Sequence, residues 1–224
     1  MHILKNLFIV VFLSFLFSIK GEAQTTEQSD FSGLKKCTVF SAGDDNVNSY
    51  RIPSLLTTKD GTLLVFCEAR RDSWRDKSRT DIVVKRSEDT GKTWSVMQDL
   101  TQGITGAYMD PTPILDSITG RIFLFTTFWP SEDHSGTKNR AILITSDDNG
   151  KTWSSPVDVT STIIPAGYHI VGFGPGAGLQ MSGKQFKERL VLPTRVVDSE
   201  RKSAHNVAIY SDNHGRTWTM GGKG

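Results

Sequence analysis

The chain has 224 residues, of which 37% are hydrophobic and 22% charged, and its formal net charge is +2. That balance describes a soluble globular protein and excludes both a disordered polyelectrolyte and a multi-span membrane protein. The small basic excess is spread along the chain, which excludes the concentrated Lys/Arg face of a nucleic-acid binder.

A basic start over residues 1–5 leads into an almost continuous apolar run from Leu7 to Ile19, followed by Gly21-Glu22-Ala23. The run is shorter than the roughly 20 residues that span a bilayer. The small residues suit cleavage before Gln24, so residues 1–23 read as a signal peptide. The expectation is an exported protein, periplasmic or secreted, with no membrane segment after cleavage. Residues 24–36 read as a linker and residues 37–224 as the folded domain. The two cysteines, Cys37 and Cys67, lie in apolar, strand-like stretches. An exported protein permits one bridge between them, but buried free thiols are the plainer reading, and neither has zinc-site spacing. No metal and no cofactor is expected.

The first folded unit has a Gly turn at Lys59-Asp60-Gly61, apolar runs at Leu63–Cys67 and Ile82–Val84, and the box SEDTGKTW from Ser87. The second repeats this order: a turn at Ser117–Gly120, runs at Ile122–Phe128 and Ala141–Thr145, and SDDNGKTW from Ser146. The third has Met181–Gly183, Arg189–Leu192, Asn206–Tyr210 and SDNHGRTW from Ser211. A period of about 60 residues with β-branched and aromatic runs of strand length points to propeller blades. With a further strand before each turn and after each box, every unit is a four-stranded antiparallel blade.

The boxes read as structural. Asp89 and Asp148 accept backbone N–H groups across a tight turn, and Gly91, Gly150 and Gly215 supply positive φ. Trp94, Trp153 and Trp218 pack between blades. Asn213 replaces the aspartate of the third box, so a looser turn is expected there. A calcium loop is excluded because the alternating oxygen ligands are absent.

Antiparallel connectivity puts the Gly turns and boxes on one rim. Opposite them stand the starts of the first strands and the loops between second and third strands. Function is expected on this second rim, at Ser49–Pro53, Glu68–Asp81, Ala107–Pro113, Trp129–Arg140 and Tyr168–Gly178. These segments carry Arg51, Glu68, Arg70, Arg71, Asp72, Arg75, Asp76, Arg79, Asp81 and Asp110. Such charges are ordinarily solvated or paired with one another. The sharper reading is a set of arginines gripping an anion beside a carboxyl group that acts as general acid. The glycines from Gly172 to Gly178, with Pro175, indicate close backbone approach to a pocket. No helix follows to make this a phosphate loop.

YRIP at Tyr50–Pro53, EAR at Glu68–Arg70, DIVVKRS from Asp81, MDPT at Met109–Thr112 and the three boxes together resemble the bacterial exo-α-sialidase family. The resemblance implies an all-β, six-bladed β-propeller of which this chain holds about the first three blades. It also implies release of terminal sialic acid from glycoproteins, glycolipids or oligosaccharides. Arg51 matches the first carboxylate-gripping arginine, a role suited to a guanidinium fork. Arg70 and Asp110 match residues around the sugar's 4-hydroxyl, with Met109 beside them, and Trp129 falls near the acyl-group wall. Asp76 matches the catalytic acid/base, with Asp72 its competitor and Asp81 structural. The family mechanism is retaining, through a tyrosine nucleophile. None of Tyr50, Tyr108, Tyr168 or Tyr210 stands in the nucleophile's context. The family's glutamate, tyrosine and further arginines fall beyond Gly224, so these residues alone are expected to be inactive and poorly stable. The alternatives are a sialoglycan-binding propeller without hydrolysis and a purely structural box scaffold.

Overall fold

Strand-forming residues separated by Gly turns build three successive antiparallel units. The computed structural model describes residues 36–221; the readings of residues 1–23 as a signal peptide and of nearly all of the 24–36 linker lie outside the described residues. Among the described residues no helix is long and apolar enough to cross a membrane.

The first unit comprises β1 (Ser49–Thr57), β2 (Leu63–Arg70), β3 (Thr80–Ser87) and β4 (Gln98–Asp99), each antiparallel to the next. The second comprises β5 (Gly106–Leu115), β6 (Ile122–Pro130), β7 (Arg140–Ser146) and β8 (Val157–Asp158). In the third, β9 (Tyr168–Phe173) and β10 (Leu179–Gln180) are two pieces of one innermost strand. Both pair with β11 (Leu190–Asp198), which pairs with β12 (Ala204–Ser211), followed by β13 (Thr219–Met220). Three four-stranded blades therefore stand where the repeat places them. The additions are a short helix, α1 (Thr160–Ile163), and a 3-10 turn at Asp44–Asn46. β11 also runs past the expected Leu192, through Pro193, to Asp198.

Strand alternation explains the continuous apolar runs. Along β6, Ile122 and Leu124 join Leu64, Phe66, Ile82 and Val84 in a core between the first two blades. Phe123 and Phe125 point the other way, into a core with Leu190, Leu192 and Ile209 of the third blade. A blade flanked on both faces must be apolar on both, so its second strand shows no polar alternation.

The boxes lock these layers. Ser87 Oγ accepts the Gly91 N–H at 2.8 Å, and Asp89 accepts the N–H groups of Lys92 and Thr93 at 3.1 and 2.9 Å. Ser146 and Asp148 repeat the arrangement with Gly150 and Thr152. Trp153 meets Phe66 of the preceding blade edge-on at 5.6 Å, and Trp218 meets Phe123 and Phe125 at 5.4 and 4.9 Å. Between-blade packing is thus seen for Trp153 and Trp218, while Trp94 lies half-buried against Gly91 of its own box. Each such edge-to-face pair contributes about 0.5–1.5 kcal/mol beyond area burial.

The looser third turn expected from Asn213 is not found. Its Oδ1 accepts the Thr217 N–H at 2.9 Å, and its Nδ2 donates to Thr217 Oγ1 at 2.8 Å. In the other boxes a threonine hydroxyl donates to the aspartate's second oxygen. Reversing the direction of that bond keeps the turn closed. The cysteines are free, Cys37 exposed and Cys67 buried.

Two outcomes follow for stability. A Cβ at Gly215 would lie 2.1 Å from the Phe123 ring on a backbone at φ +78°. Gly215→Ala is therefore expected to cost about 1–3 kcal/mol in denaturant unfolding, and an unchanged midpoint would contradict the packing. Burial opposes ionisation of Asp148, but hydrogen bonds from Thr152 and Ser146 prevail and hold its pKa down at about 2. A depressed carboxylate stabilises the fold above its unfolded pKa, and that share is lost as pH falls from about 4 to about 2. Asp148→Asn, which copies the third box, is expected to flatten the acid loss in urea titrations across this window. Identical acid profiles for the two proteins would rule this out.

Candidate functional site

The pocket forms where the innermost strands break register. In β1 the shift falls between Arg51 and Ser54, across Ile52 at φ 54° and Pro53. In β5 it falls between Met109 and Thr112, across Asp110 at φ 57° and Pro111. The third innermost strand breaks after Phe173 at Gly174-Pro175. Proline has no N–H for the ladder, and a left-handed residue bends the strand, so Ile52-Pro53 and Asp110-Pro111 each set a bulge, while Gly174-Pro175 ends its strand. Left-handed backbone is costly for β-branched Ile52, and the strain falls at the pocket wall. The starts of the first strands on this rim are therefore bulged strands.

Beside each register shift, equivalent residues face equivalent partners: Arg51 opposite Glu68 and Met109 opposite Thr127 just before it, and Gly172 opposite Arg195 just after a shift at Val171. Glu68 and Thr127 each reach into the next blade. Glu68 Oε1 accepts the Asp110 N–H at 3.0 Å, and Thr127 Oγ1 accepts the Phe173 N–H at 3.1 Å. The first bond satisfies an N–H that the bulge at Asp110 has withdrawn from its ladder. Ser54 Oγ donates to Gly176 O at 2.7 Å, tying the first innermost strand to the third.

These residues enclose a cavity of about 230 Å³, shared by Arg51, Glu68, Arg70 and Asp76 of the first blade, Met109, Asp110, Thr127 and Trp129 of the second, and Val171 and Arg195 of the third. Glu68 and Arg70 are buried at 0% and 1% exposure. Glu68 Oε2 accepts from Arg70 Nε and Nη2 at 3.0 and 2.7 Å. Arg70 Nη1 lies 2.7 Å from Asp76 Oδ1, and Arg51 Nη1 lies 3.4 Å from the same oxygen. Asp76 thus bridges two guanidinium groups, one buried and one half exposed. A ligand carboxylate seated on Arg51 competes directly with it.

Burial pushes the Asp110 carboxyl up to about 6, and the Glu68 carboxylate adds to the rise against the opposing charge of Arg195. Burial likewise raises Glu68, against its hydrogen bonds from the Asp110 N–H and Arg70. Lys77 Nζ sits 3.8 Å over the Trp129 ring, joining the Asp76 loop to the second blade. Gly172 meets the expectation of close approach, since a Cβ there would lie 2.9 Å from Asp110 Oδ2.

All six residues proposed for catalysis or substrate contact, Arg51, Arg70, Asp76, Met109, Asp110 and Trp129, line this one cavity. Asp72 is exposed and does not line it. Asp81 pairs with Arg71 Nε at 2.9 Å and accepts the Gly103 N–H, holding the base of the loop. Two members escaped sequence reasoning. Glu68 was read only as one of many rim charges. Arg195 lies past the apolar run that stops at Leu192, and counting back from the box misses it in a unit whose β11–β12 hairpin is shorter. Its position opposite Gly172, equivalent to Glu68 and Thr127, was the available signal. A larger hollow of about 610 Å³ lies beside Trp153 and Pro156. Its single carboxylate, Asp99, is paired with Arg71, so it has no comparable set of convergent charges.

Glu68→Ala leaves the Arg70 charge buried without its main partner and an unpaired N–H at Asp110. The expected loss is about 3–5 kcal/mol in denaturant unfolding, with Glu68→Gln losing less because the amide oxygen can still accept. A loss below that of an ordinary surface substitution would show that Glu68 does not hold the site together.

The chain matches the family described as "BNR repeat-like domain" over residues 52–223. It is 32% identical over 209 residues to a sialidase of Paraclostridium sordellii, covering 84% of this chain and 50% of the relative. It is also 32% identical over 201 residues to a sialidase of Bacteroides fragilis, covering 80% and 36%. Among solved structures, Hadza microbial sialidase Hz136 superposes with a TM-score of 0.72 at 29% identity, covering 81% of this chain and 39% of that one. A leech intramolecular trans-sialidase shares the fold, with a TM-score of 0.70 at 21% identity over 84% of this chain and 46% of its own. The chain thus spans about half or less of the length of each of these proteins. With three box-bearing blades, the repeated bulges and this match over nearly all described residues, the chain belongs to the BNR repeat-like family, and the relatives it resembles there are sialidases.

Proposed function

We propose that the protein is an exo-α-sialidase that hydrolyses terminal sialic acid from glycoconjugates with retention. The carrying observation is Asp76, a solvent-accessible carboxylate held over the pocket between Arg51 and Arg70. Arg51 is half exposed and free to form a two-pronged bond with the sugar's carboxylate. Once that carboxylate takes Arg51, Asp76 is released toward the glycosidic oxygen. Having taken up a proton from solvent there, it gives that proton to the leaving oxygen and afterwards, as the carboxylate again, activates water. Arg70, Asp110 and Met109 face the ring, and Trp129 walls the side bearing the acyl group. The N-terminal apolar run supports an exported protein acting on glycans outside the cytoplasm.

A tyrosine nucleophile suits a sugar whose anomeric carbon already bears a carboxylate, because a neutral group approaches without charge repulsion. None of the four tyrosines lines the cavity. The second reading is a sialoglycan-binding propeller that does not hydrolyse, supported by Arg51, Arg70 and Asp110 lining one cavity.

The test uses the protein expressed from its whole reading frame, with sialyllactose as a poor leaving group and an aryl sialoside as a good one. Asp76→Asn is expected to lower sialyllactose turnover by about 10²–10⁴-fold and to spare the aryl substrate more. Equal turnover by variant and wild type excludes Asp76 as the acid. Sialoside binding without turnover by the wild type selects the binding-module reading.

A further inference from the structure

The loop that carries Asp76 also carries an indole. Trp74 is 66% exposed, does not line the cavity, and makes no ring stack or cation–π contact among the described residues. An isolated exposed aromatic carries no meaning by itself. Trp74 differs in what holds it. Its carbonyl oxygen accepts from Arg70 Nη1 at 2.6 Å, and the same nitrogen lies 2.7 Å from Asp76 Oδ1. One buried atom therefore positions both the indole's backbone and the carboxylate.

The rest of the loop is equally tied down. Arg71 N–H donates to Arg79 O at 2.9 Å across the base, and Ser78 Oγ donates to Ser73 O and Arg75 O at 3.1 and 2.9 Å. Lys77 fixes the far side on Trp129 at 3.8 Å. Trp74 thus presents a large apolar face to solvent from a braced loop, and a ligand stacking there need not order it first.

Asp76 must reach the glycosidic oxygen, the atom shared by the two sugars. On the sialidase reading the sialic acid ring takes the cavity and the leaving sugar the solvent side of Asp76; Trp74, two residues away on the same loop, is exposed to solvent. We propose that Trp74 is a stacking platform for the leaving-group sugar, a neutral hexose ring whose C–H face packs on the indole while Asp76 protonates the bond. This rests on the sialidase reading above. It adds a subsite beyond the cavity and predicts that selectivity for the leaving group is written in the acid/base loop.

The experiment compares sialyllactose with methyl α-sialoside, whose alkoxide leaving group needs the same acid but carries no sugar ring, on the whole protein. For Trp74→Ala, the ratio of kcat/KM on sialyllactose to kcat/KM on methyl α-sialoside is expected to fall about tenfold, mainly through KM, with Trp74→Tyr restoring most of it. A ratio equal to wild type overturns the platform while leaving the hydrolase reading intact. Equal losses on both substrates also overturn it, because they would mark Trp74 as support for Asp76 alone. A wild type inactive on both substrates removes the hydrolase reading, and the platform with it.

Discussion

A buried carboxylate at the seam between two blades is the interaction on which the site depends. Transferring an ion pair out of water costs several kcal/mol per charge unless its remaining hydrogen-bonding capacity is filled. Glu68 meets that demand with Arg70 on one oxygen and the Asp110 N–H on the other. Because both partners are needed, the first blade cannot move against the second without exposing a charge or stranding an N–H. Arg70 in turn orients Asp76 and the Trp74 carbonyl. Asp76, Arg70 and the loop that follows them are thus positioned from one point.

The same constraint recurs in weaker form one blade on. Thr127 occupies the position of Glu68 and accepts from Phe173 as Glu68 accepts from Asp110. Bulging the innermost strand aims side chains into the pocket but removes an N–H from the ladder. At Asp110 the neighbouring blade returns an acceptor for it. Arg195 breaks the series, since a guanidinium has no acceptor. It stands exposed in the pocket wall opposite Gly172, makes no hydrogen bond or ion pair with the described residues, and opposes the ionic repulsion between Glu68 and Asp110. The repeat supplies identical scaffolding three times, and chemistry enters where equivalent positions differ.

Opposite faces of the blades follow different rules. At the box end every turn solves one problem, closing a tight loop, and the second and third also present Gly and Trp to the preceding blade, so the sequences stay nearly the same. Asn213 shows how much freedom that leaves: the acceptor geometry is required and the charge is not. At the pocket end, the equivalent side chains are an arginine, a methionine and a glycine facing a carboxylate, a hydroxyl and a guanidinium.

By itself the sequence determined what is local. Spaced boxes, Gly turns and β-branched runs specify four-stranded blades, because turn chemistry and strand pattern act over a few residues and then repeat. The RIP and MDP dipeptide steps marked where chemistry would sit, and Arg51, Arg70, Asp76 and Asp110 were legible from motifs within single strands or loops. Only the tertiary structure decided which of these groups meet. Glu68 touching Asp110, Lys77 covering Trp129, and Arg195 joining the same cavity are contacts between blades. They depend on strand register and on the angle between packed sheets, for which no short stretch of residues carries a signal.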